Sequence, residues 1–241
     1  MPSPSCQGEP LLLLHGGTAP IELWAPQRAA FAAKYTVYLP ERRAHGRTAD
    51  VPGPITYELM ADDTIAFMDA LGISSAHLVG WSDGGNIGMI MAIQRPDLVR
   101  TLVSIGGNFH YNGLTAEFCE SMLAWTPENF APLIVALHGR ISPGGPESVG
   151  SMLKKVVANA STGPTLTPAD LAKITAPTLV LVGDDDCCTL EHSIELYRSV
   201  PNAQLCVVPG ANHGVPLEKP VIVNEAILAF IASPERPKST M

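Results

Sequence analysis

Three kinds of side chain that can share one reaction lie far apart in this 241-residue chain. Ser82 sits in Gly80-Trp81-Ser82-Asp83-Gly84, Asp184, Asp185 and Asp186 follow the apolar run LVLVG, and His213 ends VVPGANH. A serine hydroxyl at its free pKa is a poor nucleophile toward a carbonyl carbon. It becomes a good one when a base takes its proton and a third group holds that base in place. Serine, imidazole and carboxylate are such a set, provided that one scaffold brings them to the same spot.

The neighbours of the serine argue for that scaffold. G-x-S-x-G is short enough to arise by chance, and alone it is explained as well by a plain tight turn. Here HLV precedes it and NIGMIMA follows, so the motif joins a strand to a helix. Such a turn forces its central residue toward positive φ. Side chains two positions before and after would collide, so glycine is needed at both. The turn lifts the Ser82 hydroxyl clear at the strand end, and the helix behind it aims backbone N–H groups at the same point.

Short apolar runs alternate with helical patterns along the rest of the chain. PLLLLHGG reads as a strand buried on both faces, since four consecutive leucines leave no wet side. YTVYLPE, SAHLVG, RTLVSIGG, APTLVLVGDDD and AQLCVVPG read as further strands. TYELMADDTIAFMDALGI places Met60, Thr64, Phe67 and Leu71 at helical spacing and stops at Gly72. NIGMIMAIQRPDLV is a helix that Pro96 ends, and LEKPVIVNEAILAFIA is another. The rhythm predicts a single α/β domain over 1–241, a doubly wound, mostly parallel sheet of about six strands with helices on both faces. Residues 109–165 break it. LTAEFCESMLAW, TPENFAPLIVALHG and GPESVGSMLKKVVANA read as three amphipathic helices, a candidate lid over the sheet edge where ligands bind in open α/β sheets.

Composition narrows the partners. A net charge of −8 argues against nucleic acid and anionic membrane surfaces, and 46% hydrophobic with 16% charged residues provides a sizeable core. The five cysteines, two of them adjacent at 187 and 188, have neither disulfide-scaffold nor zinc spacing and read as reduced thiols. No apolar run approaches the roughly 20 residues that span a bilayer. MPSPSCQGEPLLLLHGG lacks a basic start and does not read as a signal peptide, so the expected location is the cytoplasm.

In order and spacing, LLLLHGG, GWSDGG, GDDD and GANHG resemble the α/β-hydrolase superfamily over nearly the whole chain. The resemblance implies a triad of Ser82, Asp186 and His213. Asp186 is chosen over Asp184 and Asp185 because the family's acid lies three residues beyond the glycine of a G-x-x-D loop. It assigns oxyanion-hole N–H donors to Gly17 and Asp83 and a bracing role to His15. RRAHGR matches a structural loop of the family, with Ala44 where a glycine is usual. Only about ten residues precede LLLLHGG, so the family's opening hairpin is expected to be absent, leaving a sheet edge in need of cover.

The activity so implied is hydrolysis of a small carboxylic ester through an acyl-enzyme, with no metal or organic cofactor. Serine in place of aspartate argues against a dehalogenase. The same residues serve acyltransferases, perhydrolases and carbon–carbon bond hydrolases, or a ligand sensor that keeps the triad. Oligomeric state is left open. Asp83 either stabilises a helix N-terminus or meets a cationic group of the substrate, as GWSDGG of valacyclovir-hydrolase-like enzymes implies. Trp24, Trp81, Phe109, Tyr111, Phe118, Met122 and Trp125 are candidates for an apolar pocket, or for plain core.

Overall fold

The computed structural model describes residues 8–235; Cys6 and the segment before Gly8 lie outside them. Strands and helices alternate as β1 Pro10–Leu14, α1 Ala25–Phe31, β2 Thr36–Tyr38, α2 Tyr57–Ala70, β3 Ala76–Trp81, α3 Asp83–Gln94 and β4 Val99–Ile105. Four helices follow before the next strand, namely α4 Ala116–Leu123, α5 Pro132–Ile141, α6 Ser148–Ala160 and the single turn α7 Pro168–Leu171. The chain then continues through β5 Thr178–Asp185, α8 Leu190–Ser199, β6 Ala203–Asn212, the short α9 Val215–Glu218 and α10 Pro220–Ala232.

The six strands form one sheet in the order β2-β1-β3-β4-β5-β6, and every pairing is parallel. The chain steps outward from β1 to β2 and then returns to the other side of β1 for β3. That reversal makes a crevice between the loops that leave β1 and β3. β1 shows why a parallel strand can be all leucine. Leu12 and Leu14 pack into the core shared with α2, α3 and α6, whereas Leu11 and Leu13 face Trp24, Phe31 and α10. Each such side chain contributes roughly 1.5–3 kcal/mol by leaving water.

α3 is buried continuously from Asp83 to Ala92, which is why its sequence shows no polar face. α2 begins on a Thr56 side chain that accepts from Leu59 N, and it ends with Gly72 at φ +67. There Gly72 N donates to Asp69 O and Ile73 N to Met68 O, closing the helix by a left-handed cap. Its buried face is Tyr57, Met60, Ala61, Thr64 and Met68; Leu71, expected inside, is exposed. Ala44 adopts φ +64, so the loop that usually carries glycine keeps a glycine-like backbone. Among the described residues, no helix is long and apolar enough to cross a membrane.

The β3–α3 turn depends on close backbone contact. A Cβ at Gly84 would lie 2.6 Å from the carbonyl carbon of Leu14, and one at Gly80 would overlap the Gly84 carbonyl. Gly150 in α6 is a different case, since a Cβ there meets only Pro127 Cγ at 3.7 Å. Gly84→Ala therefore lowers stability by roughly 1–3 kcal/mol through overpacking. Gly150→Ala raises it by about 0.5–1 kcal/mol through helix propensity. Urea unfolding of both variants checks the opposite signs; equal shifts would contradict the contact.

Candidate active site

Ser82 occupies the turn between β3 and α3 with φ 56° and ψ −121°, a conformation costing on the order of 1–3 kcal/mol in a residue with a Cβ. The turn is held by Ser82 N donating to Ile105 O at 2.8 Å and by Gly85 N donating to Ser82 O at 2.8 Å. Asn86, fully buried one turn into α3, donates to Asn108 Oδ1 and accepts from Asn108 N. These bonds fix the elbow to the end of β4. Asp83 is the first residue of α3, where a helix leaves N–H groups without carbonyl partners.

Of the three consecutive aspartates, one turns inward. The Asp186 side chain is fully buried, whereas Asp184 and Asp185 are exposed. Asp184 Oδ1 accepts from Ala211 N at 3.1 Å and braces the end of β6. Asp186 Oδ1 accepts from Cys188 N at 3.0 Å and lies 2.7 Å from His213 Nδ1. Gly106, at φ +55, makes room for that pair, since a Cβ there would lie 2.9 Å from Asp186 Oδ2 and 3.0 Å from His213 Nδ1. Trp81 Nε1 donates to His213 O at 2.8 Å, anchoring the histidine from the other side.

The pair sets its own charge states. Burial is the largest influence on His213 and works against an imidazolium. The Asp186 hydrogen bond, the neighbouring Cys187 sulfur and the Asp186 charge together outweigh it and hold the imidazole pKa well above its ordinary value. Burial likewise pushes the Asp186 carboxyl up, and the His213 bond together with Cys188 N–H brings it below the usual range. Among the described residues no hydrogen bond joins Ser82 Oγ directly to the imidazole; both line one cavity of about 250 Å³.

Gly16 and Gly17, on the loop leaving β1, line the same cavity. Their backbone is gripped from behind. Arg42 Nη2 donates to His15 O at 2.7 Å and Gly16 O at 2.6 Å, and His45 Nε2 bonds Gly17 O. A trans peptide points its N–H opposite its carbonyl, so holding Gly16 O aims Gly17 N–H away from the guanidinium. Burial and then the Arg42 charge lower the His45 pKa to about 4 and take His15 well below its ordinary value, leaving both rings neutral. Arg42 carries the loop's only buried charge among these three side chains. Sequence reasoning assigned bracing to His15 but missed Arg42.

The cavity walls are apolar. Phe118, Met122, Trp125, Phe130, Ile134 and Val156 come from the segment inserted between β4 and β5. Asp83 lies on the floor, its Oδ1 accepting from Tyr57 Oη at 2.8 Å and its Oδ2 under Gly17, where a Cβ would sit 2.5 Å away. Burial, then Asp83, raises the Tyr57 pKa well above 10, so the phenol remains a donor. Trp81 lines the cavity as expected of a pocket residue. Trp24 and Phe109 do not and are corrected to core. Trp24 is fully buried behind Trp81 with ring centroids 6.0 Å apart, and Phe109 stacks on His192 at 3.9 Å. Tyr111 is part-exposed outside the cavity. Cys187, absent from the expected set, reaches the cavity beside His213. Burial pushes its thiol pKa up, so the free sulfur is a neutral thiol rather than a rival nucleophile.

Over residues 11–226 the sequence matches the alpha/beta hydrolase family. It is 29% identical over 228 residues to a protein of Caulobacter sp. (strain K31) named carbamate hydrolase RutD, covering 87% of this chain and 85% of that one. It superposes with a TM-score of 0.73 on a thermophilic esterase from Thermogutta terrifontis, at 25% identity, covering 95% of this chain and 91% of the esterase. A TM-score of 0.79 relates it to CumD, a meta-cleavage product hydrolase of Pseudomonas fluorescens IP01. There the identity is 23%, the coverage 93% of this chain and 91% of that one, and the likeness is one of fold. With a match running from β1 into α10, this chain belongs to the alpha/beta hydrolase family.

Proposed function

We propose that the protein hydrolyses small, uncharged or cationic carboxylic esters through an acyl-enzyme on Ser82. The observation that carries this reading is the 2.7 Å Asp186–His213 hydrogen bond at the wall of a cavity that Ser82 also lines. Ser82 Oγ attacks the ester carbonyl while His213 takes its proton, and Asp186 keeps the imidazole oriented. The hydroxyl and imidazole close to bonding distance once the acyl group is seated, as is common when a free site fills. The N–H groups of Gly17 and Asp83 receive the oxyanion, in the manner of paired backbone donors. His213 then protonates the departing alcohol, and water attacks the acyl-enzyme by the same route in reverse.

A second reading changes the bond and keeps the residues. The relative named carbamate hydrolase RutD favours a carbamate carbonyl in place of an ester carbonyl. Asp83 bears on the acyl group in both readings. A carboxylate facing the cavity beside the nucleophile repels anionic acyl groups and attracts a protonated amine.

Three outcomes follow. p-Nitrophenyl acetate is turned over steadily, and Ser82→Ala lowers kcat by on the order of 10⁴–10⁶; a parallel series with a p-nitrophenyl carbamate decides between ester and carbamate. Residual turnover within tenfold of the parent would remove Ser82 from the chemistry.

The pH profile carries a sign. His213 accepts a proton only when neutral, and its pKa is raised, so kcat/KM falls with acidification along a limb whose midpoint lies above pH 6.5. Asp186→Asn removes the bond that raises that pKa and moves the midpoint downward while lowering kcat. A midpoint that does not move would refute the assignment.

Finally, Asp83→Asn reduces the preference for α-amino over neutral acyl esters by roughly tenfold, the scale of about 1.4 kcal/mol. An unchanged ratio of kcat/KM would assign Asp83 to the helix terminus alone.

A further inference from the structure

Cys187 carries a thiol at the cavity wall that the proposed reaction leaves without a task. Its sulfur, a carboxylate oxygen of Asp186 and a ring nitrogen of His213 all lie within 4.8 Å of one another. The Asp186 side chain is fully buried, and its Oδ2 has no hydrogen-bond partner among the described residues. Cys187 and His213 both line the cavity, so a small solute reaches them along the path a substrate takes. A soft sulfur, an imidazole nitrogen and a carboxylate with spare lone pairs make a donor set suited to zinc and other thiophilic divalent ions.

We propose that Asp186, Cys187 and His213 form a binding site for a thiophilic divalent cation, Zn²⁺ in the first instance, whose occupation switches hydrolysis off. Zinc bonds of about 2.0–2.3 Å in a tetrahedron set donors roughly 3.3–3.8 Å apart, inside the 4.8 Å within which the present donors lie. The fourth position opens to the cavity and takes water. On binding, the thiol releases its proton to solvent and the sulfur becomes a thiolate ligand. A protonated His213 likewise gives one proton to solvent, so that the neutral ring binds through one nitrogen and keeps its proton on the other. The carboxylate enters ionised. Nothing is oxidised or reduced. An imidazole with one nitrogen on the metal and a proton on the other has no lone pair for the Ser82 proton. Inhibition by this route rests on the hydrolase reading above, whereas the binding itself does not.

The test uses the full chain after chelator treatment. Zn²⁺ is titrated by calorimetry and Cd²⁺ by the ultraviolet thiolate-to-cadmium charge-transfer band. Both titrations run on the parent, Ser82→Ala, Cys119→Ala, Cys187→Ser and Cys187→Ala, with circular dichroism verifying the fold of each. The parent, Ser82→Ala and Cys119→Ala are expected to bind one ion and show the band. Both Cys187 variants lose the band and bind at least ~10-fold more weakly. In the parent, p-nitrophenyl acetate turnover falls in step with Zn²⁺ occupancy and returns with EDTA. No band in the parent, or an unchanged band in either folded Cys187 variant, overturns the site. One-to-one binding with turnover intact overturns the switch. Ser82→Ala reports binding without catalysis, so failure of the hydrolase reading leaves the binding arm decisive.

Discussion

One close approach underlies the site: the first turn of α3 rests against the end of β1 with no side chain between them. Gly84 meets the carbonyl of Leu14, and a Cβ at Gly16 would meet the Ser82 side chain at 3.5 Å. The reversal of strand order opens the crevice, and this contact narrows it until the β1 loop and the serine share one cavity. The strained backbone at Ser82 costs on the order of 1–3 kcal/mol. Against it stand Ile87, Met89, Ile90 and Met91 of the same helix, all buried, each worth roughly 1.5–3 kcal/mol. Burial of the helix wins over the strain of one residue, so packing joins the hydrogen bonds at Ser82 in holding the turn.

Three histidines close to this crevice show how neighbours choose the base. His15 and His45 sit against the buried Arg42 guanidinium, and burial and the cation together keep them neutral. His213 faces a buried carboxylate instead, which lifts its affinity for a proton despite burial. The residue type is the same in all three places. Only the imidazole beside Asp186 is tuned to take a proton and hold it, whereas the other two serve as rigid hydrogen-bonding struts for the loop.

The parts legible in the sequence are those set by local rules. Four consecutive leucines, five further apolar runs and a serine between glycines each allow one conformation, and the sheet and elbow follow them. Asp186 was separable from Asp184 only through the family's loop spacing; the structure adds the reason, that one carboxylate is buried and the other braces β6. α8 carries no apolar stripe in the sequence, because its buried face is His192 and Ser193 beside a single leucine. α5 starts at Pro132 instead of near Thr126, since a turn closed by Phe130 N on Thr126 O comes first. Arg42, Tyr57 and Cys187 reach the site through tertiary folding from segments whose patterns are ordinary. Aromatic residues such as Trp24 and Phe109 carry no mark that separates a pocket wall from a core.

The cavity chemistry follows from placing one carboxylate in apolar surroundings. The inserted segment between β4 and β5 supplies hydrophobic walls, so little water competes for charge near Ser82. Like charges about 4 Å apart near a protein surface repel by on the order of 4 kcal/mol, nearly a thousandfold in binding. Tyr57 satisfies Asp83 Oδ1, and the Arg42 charge lies close enough to act on Asp83 from below the floor, so the repulsion felt by a substrate is tempered. A residual third of that effect, about 1.4 kcal/mol or tenfold, falls within the roughly 1–3 kcal/mol that one methylene contributes to selectivity in an apolar pocket. Size and apolar fit therefore share the choice of substrate with charge. Under the proposed reading, the walls limit how large an acyl group enters, and Asp83 biases its charge.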